Sequence, residues 1–189
     1  MTEPHWIGPH LLENFFGKRF PDSLSFEDKV IIFSDTVQGW QLDVADRLLR
    51  NDRHAGFAAL SVVLSYFEMI ARYRDGRWEY ERDSAERFKD GVRWVYSDLP
   101  DPGVLDPLWE TVRNGMYHRA TTKRGVVLDG EFPVAIELKG STVEINPHLL
   151  VRDLQQHFGR YVADLLDASQ EELRTNFQTV FDSWKKWGA

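Results

Sequence analysis

Cysteine is absent from the 189 residues, which excludes a disulfide framework, a thiolate zinc site and a cysteine nucleophile. Long apolar runs are scarce too. The longest mostly apolar stretch, Gly56 to Phe67, falls short of the roughly 20 residues that cross a bilayer, so no membrane partner is expected. No Gly-rich phosphate loop, no H-E-x-x-H and no G-x-S-x-G occurs, which sets aside the chemistries those motifs serve. The six histidines (His5, His10, His54, His118, His148 and His157) do not fall at metal-ligand spacing, and no metal or cofactor is expected. An excess of positive charge is missing as well: 23 Lys+Arg face 30 Asp+Glu, a formal charge of -7. That argues against non-specific coating of nucleic acid, which works by neutralising phosphates. A small local basic site remains open. From Met1 onward the chain lacks the basic-then-apolar pattern of a secretory leader, and a cytoplasmic protein is the expectation.

What is present is a core. Hydrophobic residues make up 42%, with 12 Phe, 7 Trp and 6 Tyr, too many for a natively unfolded chain. Residues 1–24, broken by Pro4, Pro9 and Pro21, suggest an irregular arm with one short helix near Leu11 to Phe16. Residues 25–189 suggest one helical domain. Ser25 is a candidate N-cap for a helix to about Arg50, with Thr36 to Gly39 as a possible break. The next helix, about Arg53 to Arg74, is apolar nearly all round through Phe57, Leu60, Val63, Leu64, Phe67 and Ile70, and is closed by Asp75-Gly76. Such a helix belongs at the centre of a bundle. Helices are further expected near 84–97, 105–118, 148–167 and 169–186. Between them lie short β-like runs at 126–128, 134–138 and 143–145, separated by Asp129-Gly130 and Lys139-Gly140-Ser141. The expected fold is mainly α: an up-and-down helical bundle with a small β-hairpin or three-stranded insertion near 125–146.

Chemistry concentrates in the stretch from Val112 to Arg119, VRNGMYHR. At about 100° per residue, Leu105, Leu108, Trp109, Val112 and Met116 form one core-facing stripe. Asn114 and His118 lie almost opposite it, and Arg113 sits on the flank. An amide and an imidazole then point away from the core with a guanidinium in reach. Gly115 costs about 1 kcal/mol inside a helix and would let a backbone or ligand approach closely. Glu68, embedded in an apolar run, needs a partner, with Arg72 or Arg113 as candidates.

The string RNGMYH resembles the R-x-x-x-x-H signature of the HEPN superfamily, the higher eukaryote and prokaryote nucleotide-binding domains. The resemblance loosely spans residues 35 to 185, and only the six-residue motif is specific. It implies a helical bundle that forms a homodimer, with the motifs of both subunits building one composite site, often that of a metal-independent endoribonuclease. Carried over, Arg113 would bind phosphate, Asn114 orient, and His118 act as acid and base, with Glu68 and Tyr117 in support. In toxin members modified by a partner nucleotidyltransferase a Tyr follows two residues after the His. Here that position is Ala120, so this regulation does not carry over.

The same spacing recurs at Arg152 to His157. On that helix Leu150, Leu154, Phe158, Tyr161 and Leu165 define the core stripe, which puts His157 at its edge and Arg152 well away from it. His157 is therefore expected as a flanking core histidine. Arg113, Asn114 and His118 would also suit an ordinary solvated helix C-terminus, where cations favour the macrodipole. The functional expectation is a metal-independent RNA endonuclease leaving 2′,3′-cyclic phosphates, with RNA as substrate and an antitoxin-like protein as a possible partner in a toxin–antitoxin or defence setting. The alternative is a non-catalytic module that binds a nucleotide or a partner protein.

Overall fold

Helix starts are encoded locally and the structure, a computed structural model, uses them. It describes residues 6–12, 24–77, 84–99, 101–119 and 121–183. Ser25 caps α1 (Phe26–Val37) with a reciprocal box: its hydroxyl accepts from the Asp28 N–H, and the Asp28 carboxylate accepts from the Ser25 N–H. The Thr36 to Gly39 region is not a break. It continues as a π-helical turn, Gln38–Leu42, into α2 (Asp43–Asn51). The apolar helix divides into α3 (Gly56–Val63) and α4 (Ser65–Asp75), stepping at Leu64. Gly76, at φ 67°, closes α4 in the left-handed conformation that glycine adopts without strain. Phe57 is exposed, contrary to its expected place in the core. The inner face at this end of α3 is taken by Gly56, which lies against Leu128 and Pro147, so Phe57, one position on, points outward.

Helix α5 (Ser84–Val95) packs Phe88 and Val92 inward. After a 3-10 turn, Pro102–Val104, come α6 (Leu105–Pro107), a second π-helical turn (Leu108–Arg113) and α7 (Asn114–Arg119). Asn146 caps α8 (Pro147–Leu166), accepting from the N–H groups of His148 and Leu149. The last helix, α9, is Glu171–Ser183. Phe33 gathers the core: its ring lies 4.4 Å from Tyr73, 5.5 Å from Phe158 and 5.3 Å from Phe177. One side chain thus joins α1, α4, α8 and α9. A second aromatic chain, Phe67 to Phe88 to Trp109, carries the core from α4 through α5 to the turn before α7.

The chain is mainly helical with a three-stranded sheet inserted before α8. Strands β2 (Ile136–Lys139) and β3 (Thr142–Ile145) form the hairpin, turning at Gly140-Ser141 with Gly140 at φ 61°. Strand β1 (Val126–Leu128) pairs parallel to β3, in the order β1-β3-β2. Asp129-Gly130 is therefore not a hairpin turn. It opens a crossover pinned by Asn146, whose amide donates to the carbonyls of Gly130 and Phe132.

The arm differs from expectation where it is described. Residues 6–12 form a loop closed by a bridge between Trp6 and Leu12, with no helix at Leu11 and Leu12. Residues 13–16 lie outside the described residues. Leu11 is buried, the Thr36 hydroxyl donates to the Ile7 carbonyl, and Asp35 accepts from His10. Pro9 fills the space over Gly39. The loop is thereby part of the domain's packing.

Candidate functional site

Two local backbone features shape the motif segment. Over Leu108–Arg113 the helix widens to π geometry, which is frequent at functional sites. Within it the Thr111 hydroxyl donates to the Pro107 carbonyl. The carbonyl of Thr111 then accepts from the returning Lys123 N–H at 2.9 Å. This return also explains Gly115. A Cβ there would lie 2.8 Å from the Thr121 carbonyl oxygen and 2.9 Å from the Lys123 nitrogen. The close neighbour is the chain's own backbone and not a ligand.

Arg113 is half-buried and held from several sides. Its Nε donates to Glu68 Oε1 at 2.9 Å, and its Nη2 lies 2.7 Å from the same oxygen. Each side chain of this pair is about 15% exposed or less (15% and 14%). Packing thus joins Arg113, one of the candidate partners, to Glu68. The guanidinium lies 4.6 Å from the Trp109 ring centre and 4.2 Å from that of Tyr117. Two aromatic faces and one carboxylate oxygen fix its plane. Nη1 is left facing Asn114 Oδ1 at 3.5 Å, too long for a strong hydrogen bond. A phosphate oxygen could take that edge.

Asn114 is half-buried, whereas Tyr117 and His118 are exposed. His118 is solvent-exposed and makes no hydrogen bond or ion pair among the described residues. The stripe of Leu105, Leu108, Val112 and Met116 is buried as the periodicity predicts, and Trp109 is partly buried. Trp109 was legible only as a core residue. Its second role had a signal in the spacing: Trp109, Arg113 and Tyr117 follow one another at four-residue intervals. Among the described residues no group of three His, Asp or Glu side chains is placed to hold a metal ion.

The second R-x-x-x-x-H string is taken apart by the fold. Arg152 is exposed and pairs with its neighbour Asp153. His157 is only 4% exposed, and its Nδ1 shares a 2.8 Å hydrogen bond with the Tyr66 hydroxyl. Burial, reinforced by the charges of Arg74 and Arg160, pushes His157 down to about 4. An unfolded imidazole titrates near 6.5. Between these values the unfolded chain binds a proton that the folded chain refuses. His157 therefore supports folding fully above pH 6.5, and that support is lost as the pH falls towards 4. The loss is about 3 kcal/mol at most. Melting curves across this window should be measurably flatter for His157→Gln than for the parent.

Comparisons with protein-family models, with curated proteins and with solved structures return no match.

Proposed function

We propose that this chain is a metal-independent endoribonuclease of the HEPN type that acts as a homodimer. One observation carries the proposal: Arg113 is clamped by Glu68 between Trp109 and Tyr117, five residues before the exposed His118. RNA supplies its own nucleophile, the 2′-hydroxyl. The protein has to remove that proton, stabilise the phosphorane's charge and protonate the departing 5′-oxygen. An imidazole suits both proton transfers. A pre-oriented guanidinium suits the oxyanion, because no reorganisation is needed when charge develops. Two copies of the motif facing each other would put one His118 on each side of the scissile bond. The exposed Tyr117 ring offers a stacking surface for a base. A footprint this small fits an acidic chain of net charge -7, since local contacts replace a long basic track. A toxin–antitoxin or defence role, with an antitoxin-like partner, belongs to the same proposal.

The test is cleavage of a single-stranded RNA by the purified chain in excess EDTA, with end-group analysis. Undiminished turnover leaving 2′,3′-cyclic phosphate and 5′-hydroxyl ends is expected. Activity only after added Mg²⁺, or 5′-phosphate ends, would overturn the proposal. Saturable nucleotide binding without turnover would replace it by a non-catalytic binding module.

A further inference from the structure

Away from the Arg113 site, α4, α5, α8 and the start of α9 enclose a cleft of two adjoining chambers. The larger chamber, labelled outer, holds about 660 Å³ and the smaller, labelled inner, about 350 Å³, and both are open to solvent and walled by Arg74, Trp94 and Asp164. The outer wall adds Arg77 and the inner wall adds Arg160. None of these three arginine side chains has a hydrogen-bonded or ionic partner among the described residues, although the chain carries 30 Asp+Glu. Arg74 is the most telling. Its Nε is buried without a hydrogen-bond partner, and such a group loses hydration with nothing in return. Its guanidinium rests on the Trp94 ring at 4.4 Å and lies 5.6 Å from that of Tyr161. Stacking fixes the plane of the fork and leaves its edge for a planar or tetrahedral oxyanion. Arg160 is exposed on the same wall, and the two charges converge: both act on the His157 imidazole and on the Tyr66 hydroxyl behind it.

The chambers differ in sign. Beside Asp164, the inner wall presents Arg74, Arg160 and the Ser97 hydroxyl. The outer wall carries Asp75, Asp164, Glu171 and Glu172 against Arg74 and Arg77. We infer that the cleft binds a small phosphomonoester. The phosphate would sit between Arg74 and Arg160 in the inner chamber, and a hydroxyl- or amine-bearing body would donate to the outer carboxylates. A dianion suits two guanidinium groups better than a lone carboxylate does. The outer carboxylates accept from sugar hydroxyls and repel a polyanion, which selects a small molecule over a nucleic-acid chain. The inner chamber alone, at about 350 Å³, has the size of a small-ligand pocket.

Calorimetric titration of the full chain with ribose 5-phosphate, ribose and inorganic phosphate tests this. Ribose 5-phosphate should bind saturably, inorganic phosphate at least 10-fold more weakly, and ribose not at all. Arg74→Gln and Arg160→Gln should each weaken ribose 5-phosphate at least 10-fold, while Arg152→Gln, an exposed arginine outside the cleft, should not. Arg160 is exposed, so its variant keeps the test sound even where Arg74→Gln fails to fold. No saturable binding, or affinity that survives both cleft substitutions, would overturn the site. Inorganic phosphate binding as tightly as ribose 5-phosphate would remove the outer chamber's role. A 5′-phosphorylated RNA oligomer binding more tightly than ribose 5-phosphate would overturn the small-molecule assignment.

Discussion

His118→Ala is expected to lose RNA cleavage by about 10²–10⁴-fold, the usual scale of a missing acid–base group, while melting within about 2 °C of the parent. Both halves come from the same placement. The side chain is exposed and bonds to nothing among the described residues, so its removal leaves no cavity and, among those residues, no orphaned partner. His157→Ala should behave in the opposite way. It deletes a buried ring and strands the Tyr66 hydroxyl, which is itself fully buried, for about 2–4 kcal/mol. Its folded fraction should cleave at the parental rate. Arg113→Ala should match His118→Ala in activity and also lose some stability, because Glu68 is left half-buried without its guanidinium. Arg113→Lys should recover stability better than activity, since a point charge cannot lie between Trp109 and Tyr117 as a planar fork does. A fluorogenic RNA assay beside a melting curve reads all four variants. Full activity in His118→Ala would sink the motif as the active site.

How much of this could be read from the chain depends on how local each signal is. The α8 stripe of Leu150, Leu154, Phe158, Tyr161 and Leu165 is buried throughout, because a 3.6-residue period is a property of the helix alone. Pro147 and Gly76 mark a start and a stop for the same reason: each acts through its own φ. The two π-helical turns were hidden, since a fixed 100° step presupposes regular hydrogen bonding and cannot show where a turn takes in an extra residue. The pairing of β1 beside β3 was equally hidden. Three-residue strands carry no signal that distinguishes a parallel neighbour from an antiparallel one. At the site, the sequence offered Arg72 and Arg113 for Glu68, and the Arg113 contact comes from the packing of α4 against the motif segment, which no local spacing shows. The convergence of Arg74, Trp94 and Arg160 involves three helices and had no local trace.

The close approach of α4 and α5 underlies the motif's position, and it rests on one hydrogen atom. At Gly91 of α5 an added Cβ would lie 1.9 Å from the Phe67 carbonyl oxygen, 2.4 Å from its carbonyl carbon and 2.8 Å from its Cα. All three are backbone atoms of α4, so no side-chain rotation relieves the clash, and the helices must part. Parting them separates the Phe67 and Phe88 rings, now 5.4 Å apart, and with them the contact from Phe88 to Trp109 at 5.5 Å. Gly91→Ala is therefore expected to destabilise by about 3 kcal/mol or more, lowering the melting temperature by roughly 10 °C. RNA cleavage should fall with it, because Trp109 forms one wall of the Arg113 clamp. Gly159 of α8 supplies the internal contrast. Nothing lies within 4 Å of a Cβ built there, so Gly159→Ala should only stiffen the unfolded chain and favour the helix, stabilising by up to about 1 kcal/mol. Paired urea titrations would read the two substitutions with opposite signs. A Gly91→Ala chain as stable as the parent would show that α4 and α5 can separate without loss.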